Sequence, residues 1–228
     1  MYDVSPAWNS TYPDAIVGIL AMTGVANPAT HSDLEAAKAD LEDKLKARYD
    51  GWDRARLKEI PVLQAYDAYY TQFKKTYHVQ LQLESVAFKG KSIPMVAALV
   101  EAMFMAELKD LLLTAGHDLE VIQPPVTIDV AQGHESYIRM NGDEQVLKAG
   151  DMMITDRQGV ISSVIYGPDQ RTRIRPETTR VLFTTYGPPG IESGVMKAHL
   201  EQLRDNVKLV SPETTVETLE ILGIDRHA

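Results

Sequence analysis

The sequence predicts an α+β fold, with helices in the first half of the chain and antiparallel strands in the second. Residues 32–114 contain several segments with apolar residues at helical spacing. Residues 126–187 contain short strand-like segments, separated by turn dipeptides such as Asn141-Gly142 and Gly167-Pro168. We therefore expect the sheet to lie in the C-terminal half of the chain.

The first elements each carry a local signal. β-branched and apolar residues predict a buried strand from Ala15 to Thr23. Ser32 followed by Glu35 predicts a capping box at the start of a surface helix. Pro61 occupies a typical first helical position, and the helix after it carries one stripe of large residues, which we interpret as core. The stripe consists of Leu63, Tyr66, Tyr70 and Phe73.

Four further helices are predicted from apolar spacing and from capping residues. A short helix should run from Leu81 to Phe88, and a long one from Met95 to Thr114. The first three turns of the long helix are apolar nearly all round, so we expect them to be buried. Two helices should close the chain, at about residues 194–206 and 212–222, the second capped by Ser211.

Composition limits the classes of function. The formal net charge of -9 repels polyanions, so nucleic-acid binding would need a local basic patch. The chain has no cysteine, which excludes disulfides, thiolate metal sites and a cysteine nucleophile. The N-terminus lacks the pattern of a signal peptide, and Glu101 and Glu107 interrupt the longest apolar run. We expect a cytoplasmic protein without a membrane span.

No motif indicates a cofactor or a metal. The phosphate-binding patterns G-x-x-x-x-G-K and G-x-G-x-x-G are absent, and no two of the six histidines have metal-ligand spacing. The pairs His117-Asp118 and His134-Glu135 have the chemistry for proton transfer. A loop histidine hydrogen-bonded to its neighbour is the more ordinary interpretation of each pair.

Positive charge is concentrated at "RTRIR". In a strand, the period of two would place Arg171, Arg173 and Arg175 on one face. Arginine forks suit carboxylates and phosphates, so this face could bind an anion. A charged edge, with Arg171 and Arg175 paired to Asp169 and Glu177, is the more ordinary interpretation. The pattern leaves both interpretations open.

Four stretches, in this order and spacing, resemble one known family. They are "YPDAIVGILAMTGV", "PVLQAYDAYYTQFKK", "FKGKSIPMVAALVEAMFMAELKDLLLTAGHDLEVI" and "GDMMITDRQGVISSVIYGPDQRTRIRPETTRVLFTTYG". Together they resemble the editing (B3/B4) domain of the phenylalanyl-tRNA synthetase beta chain, in its free-standing form. The resemblance covers roughly residues 12–205.

The resemblance implies one B3/B4-like domain over residues 1–228, a β-sandwich of antiparallel strands packed with helices. From about residue 207 we expect a C-terminal helical extension. In the synthetase this domain hydrolyses tyrosine wrongly attached to tRNA, in a pocket at the junction of its two sub-structures. The resemblance therefore implies a hydrolase that acts in trans on the ester of misacylated aminoacyl-tRNA. The few clustered arginines on a chain of net charge -9 predict that its binding of tRNA is weak.

The resemblance also places pocket positions on this sequence. The family's pocket histidine falls on Ala115, its glutamate on Gln170 and its threonine on Thr178, and Met95 stands where the family has Asn after Pro. No residue is assigned a catalytic role. The predicted substrate-binding residues are Arg173, Gln170, Thr178, Asp169, Arg171 and His117.

Two hypotheses from different classes follow. The first is a free-standing deacylase of misacylated tRNA, which would meet the RNA through the arginines. The second is a non-catalytic binder of an amino-acid-like small molecule, with an arginine holding the carboxylate. The net charge of -9 favours the second hypothesis, and the resemblance favours the first.

Overall fold

A computed structural model describes residues 2–223 and shows a mixed α+β fold with antiparallel sheets. The helices are α1 Pro6–Thr11, α2 Ser32–Arg48, α3 Arg54–Leu57, α4 Pro61–Gln72, α5 His78–Ala87, α6 Ala98–Asp110 and α7 Ser193–Val210. The strands are β1 Tyr2–Val4, β2 Ile16–Thr23, β3 Leu113–Asp118, β4 Val126–Val130, β5 Ser136–Ile138, β6 Glu144–Val146, β7 Met152–Asp156, β8 Gly159–Ser163, β9 Gly167–Pro168, β10 Arg180–Gly187 and β11 Thr215–Leu222.

Two larger sheets organise these strands. One has the order β11-β2-β10-β3 and is antiparallel throughout. The other has the order β1-β4-β7-β8-β9, in which only β1 and β4 are parallel. Strands β5 and β6 form a separate two-stranded hairpin, which packs against β8 of the second sheet. The first sheet therefore joins strands from both ends of the sequence.

The most regular sequence patterns are confirmed. Strand β2 begins at Ile16, one residue later than predicted, and all but its last residue are buried. Helix α4 begins with Pro61 at its first turn, and its aromatic stripe is buried. The Tyr66 hydroxyl accepts from Leu113 N at 2.8 Å and donates to Tyr186 O, so this stripe links the helices to the first sheet. Helix α5 begins three residues earlier than predicted.

The prediction for the long helix is wrong at both ends. Helix α6 begins at Ala98, and Met95 before it is 67% exposed. At the other end Leu111 has φ 63°, a left-handed conformation that ends the helix. Strand β3 follows at once and pairs with β10. The apolar run continues through residues 111–113, so spacing alone could not locate this change.

The predicted capping box is also wrong. Helix α2 already includes Ser32, and His31 before it caps the helix without a side-chain hydrogen bond. The Glu35 carboxylate instead accepts a hydrogen bond from Lys38 Nζ at 2.8 Å. That ammonium also contacts Glu101 at 2.7 Å, so Glu35 takes part in a cluster of ion pairs instead of capping the helix.

The second closing helix, and with it the predicted helical extension, is contradicted. Helix α7 continues to Val210, and residues 215–222 form strand β11 instead. This strand pairs with β2 along nearly its whole length and forms an edge of the first sheet. Pairing with a strand almost 200 residues away in sequence decides its structure, which local capping signals cannot register.

The segment "RTRIR" is a loop rather than a strand. It lies between β9 and β10, and Thr172 O accepts a hydrogen bond from Asp118 N at 2.7 Å. Thr172 is buried whereas Arg173 and Arg175 are exposed, so part of the predicted alternation survives without a strand. Within residues 2–223, no helix is both long and apolar enough to cross a membrane.

We expect Leu99→Ala to lower the free energy of unfolding by ~2–5 kcal/mol, the usual range for such changes in a core. Leu99 is 1% exposed, in a helix that packs against α2, α7 and β3. Chemical denaturation measures the change. Met95→Ala is the control, since an exposed side chain should cost under about 0.5 kcal/mol. Similar small losses in both variants would contradict this placement of the α6 core.

Candidate functional site

A cavity of about 270 Å³ lies between helix α6, strand β3 and the β8–β9 region. Its size is near the lower end of ordinary ligand pockets, and so suits one amino-acid-sized group better than a nucleotide. Most of its wall is apolar and comes from Val100, Met103, Phe104, Leu113 and Ile174. The polar groups that line it belong to His78, Glu107, Thr114, Ser163, Arg173 and Tyr186.

A wider groove of about 440 Å³ lies between α2, α6 and α7. Its charged side chains include Lys44, which pairs with Asp40 at 2.6 Å, and Lys109, which pairs with Gln202. These pairs are ordinary for an exposed helical surface. The smaller cavity is the better candidate because it contains a buried ionisable group among apolar walls.

That group is Glu107, which sequence analysis did not select as a site residue. Its side chain is buried, and Oε1 accepts a hydrogen bond from Thr114 N at 2.8 Å. Burial raises the pKa of the Glu107 carboxyl to about 8, although the hydrogen bond from Thr114 acts in the opposite direction. The signal in the sequence was a glutamate that interrupts an apolar run.

The free edge of strand β3 forms part of the cavity wall. Thr114 N and Asp118 N both donate away from β10, to Glu107 Oε1 and to Thr172 O. The hydrogen-bonding direction alternates from residue to residue along an antiparallel strand. Gly116 lies between Thr114 and Asp118, so its N–H and C=O also point away from β10. Gly116 lines the cavity, which gives the site a backbone donor and acceptor beside apolar side chains.

A buried polar chain supports β3 from helix α7. The Thr114 hydroxyl lies 2.8 Å from His199 Nε2 and 3.0 Å from the Thr185 hydroxyl. His199 Nδ1 lies 3.2 Å from Asp110 Oδ2, at the end of α6. The chain therefore fixes Thr114, and with it the backbone N–H that holds Glu107.

Of the predicted site residues, Arg173 lines this cavity. Its side chain is exposed, and its guanidinium donates to Gln170 O at 2.8 Å. Gln170, Asp169 and Arg171 instead line a shallow depression on the surface, which Arg173 also borders. Ala115, the position of the family's pocket histidine, lines the cavity itself.

The other two arginines of the loop are neutralised by carboxylates. Arg171 forms two hydrogen bonds with Asp156, of 2.8 and 3.0 Å, and lies 3.6 Å from Asp169. Arg175 lies 3.2 Å from Asp118 rather than against Glu177. Among the residues that the structure describes, Arg173 alone of the three pairs with no carboxylate.

His117 and Thr178 tether the arginine loop to strand β3. His117 lies in the strand, not in a loop, and its Nδ1 is 2.8 Å from the Thr172 hydroxyl. That hydroxyl donates to Asp169, so it accepts from His117 Nδ1–H. The Thr178 hydroxyl donates to Asp118 at 3.0 Å. The sequence pattern suggests that His117 acts in proton transfer with Asp118 or is hydrogen-bonded to it. In the structure the His117 ring bonds Thr172, and the Asp118 carboxylate bonds Thr178.

The His117 ring also carries no charge. Burial, with a further contribution from the charge of Arg171, lowers its pKa to about 3, so the ring stays neutral at physiological pH. His134 is exposed in a loop, as predicted, 3.9 Å from Glu135. Within residues 2–223, no group of three or more His, Cys, Asp or Glu residues is arranged to hold a metal ion.

We expect Glu107→Gln to raise the melting temperature at pH 7.5 and to change it little at pH 4. Because the folded pKa of about 8 lies above the ordinary 4.5, ionisation opposes folding as the pH rises between these values. Glutamine resembles the neutral acid and avoids that cost. Thermal unfolding followed by circular dichroism over this pH range measures the difference.

Glu101→Gln is the matched control, in the same helix. Glu101 pairs with the buried Lys38 ammonium at 2.7 Å, so its neutralisation should lower the melting temperature at pH 7.5. If Glu107→Gln destabilises the protein as Glu101→Gln does, Glu107 is ionised and satisfied in the folded state.

Comparison with known proteins places the chain in a family. A model of the B3/4 domain matches residues 64–222. An N-terminal fragment of the phenylalanyl-tRNA synthetase beta-subunit from Pyrococcus horikoshii aligns with 97% of this chain at 12% identity and a TM-score of 0.49. The chain spans 50% of that fragment. A search of curated proteins gave no match. The family match extends over more than half of the sequence and confirms the predicted resemblance: this chain belongs to the B3/4 domain family.

Proposed function

We propose that this protein is tRNA-editing-like: its cavity receives the aminoacyl group of a misacylated tRNA, and water hydrolyses the ester in trans. The observation that carries the proposal is the cavity itself, with about 270 Å³ of mainly apolar space and few polar groups. It lies where the resemblance to the editing domain places a pocket residue, at Ala115. In this arrangement the amino-acid side chain fills the apolar part.

The rim supplies a cation for the nucleic acid. Arg173 is exposed at the mouth and, within residues 2–223, has no carboxylate partner, so its guanidinium is free to contact a phosphate of the terminal nucleotides. Gly116 offers a backbone N–H to the substrate carbonyl. Ala115 and Gln170 cannot act as bases. In this proposal the hydroxyl of the substrate's own terminal ribose therefore orients the attacking water.

A second candidate is a non-catalytic binder of a free amino-acid-like molecule, with Arg173 on its carboxylate. Two observations favour it. The net charge is -9, and Arg171 and Arg175 already pair with carboxylates, which leaves little positive potential for RNA. Neither Ala115 nor Gln170 provides a proton-transfer group.

A deacylation assay on a panel of misacylated tRNAs, with parallel calorimetry on free amino acids, separates the two candidates. Editing predicts hydrolysis of at least one aminoacyl-tRNA, and its loss when Met103→Trp fills the cavity. Binding of an amino acid without hydrolysis would favour the second candidate. If neither hydrolysis nor binding occurs, both are wrong.

Arg173→Ala should weaken the binding of a carboxylate- or phosphate-bearing ligand found in this screen about tenfold, as expected for loss of a charge-assisted hydrogen bond. Calorimetry measures the change in Kd. Arg157→Ala is the control, because this exposed arginine lies in the β7–β8 turn, away from the cavity. Equal affinities of wild type and Arg173→Ala for every ligand would show that Arg173 is a solvent-exposed charge with no role in ligand binding.

Binding of tRNA should be weak and should disappear between about 50 and 200 mM salt, because few cations are available to displace counterions. Fluorescence anisotropy with labelled tRNA at several salt concentrations tests this. Arg173→Ala should reduce the slope of log K against log salt by about one. Tight binding that persists at physiological salt would require a basic surface other than the arginine loop.

A further inference from the structure

The buried carboxyl groups in the described part of the chain fall into two sets. Five pair with lysine or arginine: Glu84 with Arg54, Glu101 with Lys38, Asp118 with Arg175, and Asp156 and Asp169 with Arg171. The other two, Asp151 and Glu107, have no cation at salt-bridge distance among these residues. In this protein, therefore, a buried acid is usually matched by a positive side chain.

Asp151 is stabilised without a cation by hydrogen bonds that reach both of its oxygens, although burial still raises the pKa of its carboxyl to about 6. Tyr69 OH donates to Oδ1 at 2.6 Å, and Ile165 N donates to Oδ2 at 3.3 Å. Asp151 also lies outside the lining of the cavity. Glu107 differs from Asp151 on both counts. It lines the cavity, and among residues 2–223 a hydrogen bond reaches one of its carboxyl oxygens, Oε1, instead of both.

An ionised carboxylate in an apolar wall is costly unless a cation neutralises it. The unliganded cavity therefore favours the protonated form of Glu107, in accord with its raised pKa of about 8. A cationic group inside the cavity would provide the kind of partner that five of the other six buried acids within residues 2–223 already have. The small volume and apolar walls leave room for a compact hydrocarbon body attached to that cation.

We infer that Glu107 binds the ammonium group of an amine ligand, so that the cavity selects amines with a small apolar body over their neutral isosteres. This inference rests on the proposed role of the cavity as the ligand site. It narrows the substrate class to compounds with a free amine, a property shared by the aminoacyl end of tRNA and by free amino acids. When the amine binds, the Glu107 carboxyl releases its proton to solvent while the ligand keeps its positive charge.

The other ionisable groups around Glu107 should not contribute to the proton release. Burial raises the pKa values of Tyr66, Tyr70 and Tyr77, so these phenols remain neutral at pH 7. Burial lowers the pKa of His78, which lines the same cavity, so its ring also remains neutral. Burial also raises the pKa of Tyr186, so this phenol remains neutral as well. Of these groups, Glu107 is the one expected to change its protonation when an amine binds.

Two pairs of probes test the inference: phenethylamine against phenethyl alcohol, and isoamylamine against isoamyl alcohol. By calorimetry at pH 7, at least one amine should bind about tenfold more tightly than its alcohol, as expected for a charge-assisted contact. Calorimetry in buffers of different ionisation enthalpy should show release of nearly one proton per amine bound, because a carboxyl with pKa of about 8 is mostly protonated at this pH. The alcohols should release none.

Glu107→Gln should abolish both the preference for the amine and the proton release, and bring the affinities of amine and alcohol within about twofold of each other. Glu101→Gln, in the same helix but outside the cavity lining, should retain both properties at a temperature where it is folded. The inference is wrong if wild type binds amine and alcohol equally, if Glu107→Gln keeps the preference, or if neither amine binds at millimolar concentration.

Met103→Trp distinguishes this inference from the proposed function. If it abolishes the binding of both amine and alcohol while Glu107→Gln keeps the preference for the amine, the cavity remains the ligand site and only the role of Glu107 fails. If the probes bind equally well to wild type and to Met103→Trp, they do not occupy the cavity, and both the inference and the proposed site are overturned.

Discussion

The left-handed turn at Leu111 is the constraint on which the rest of the site depends. A non-glycine residue with φ 63° is strained by about 1 kcal/mol or more, so surrounding contacts must hold it in place. Leu111 N donates to Glu107 O at 2.7 Å, and Leu111 O accepts from the Tyr77 hydroxyl at 3.0 Å. The bond from Leu111 N is the last one of the helical pattern. The left-handed conformation of Leu111 then ends α6, and the chain enters β3 beside the helix it has just left. The cavity is the space between that helix and that strand edge.

This turn also explains why an acid is tolerated at Glu107. A helix that had continued would have left Thr114 N bonded within the helix. Because the chain turns, Thr114 N lies on the open edge of β3 and needs an acceptor, which Glu107 supplies at 2.8 Å. The buried carboxyl is therefore partly a consequence of the strand edge: one oxygen serves the backbone, and the carboxyl remains part of the cavity wall. Structural and ligand-binding roles coincide in one side chain.

Sequence reasoning located the elements whose patterns are both long and locally determined. Strand β2 and helix α4 met that condition, and the aromatic stripe of α4 lies in the core as predicted. Residues 113–118 and 215–222 did not meet it. Each is apolar enough for a helix or a strand, and pairing with β10 or β2 decides the outcome. Such long-range pairing is not written in any local window of the sequence.

The ion pairs of the candidate site show the same limit of sequence reasoning, because their members are distant in the chain. The sequence identified the arginine cluster. It identified Asp169, 3.6 Å away, as one partner of Arg171. It could not identify Asp156 as the other, or Asp118 as the partner of Arg175, because these acids lie 15 and 57 residues away in the chain. Nor could it show that Glu101 finds a cation in Lys38 whereas Glu107, in the same helix, finds none among the described residues. These ion pairs decide which charged side chains are neutralised within the fold and which remain available to a ligand. Once they are assigned, the acidic protein retains one cation at the rim and one unpaired acid in the wall of the same cavity. A ligand that carries both an amine and an anionic or carbonyl group on a small apolar body complements that arrangement better than a uniformly charged or purely apolar one.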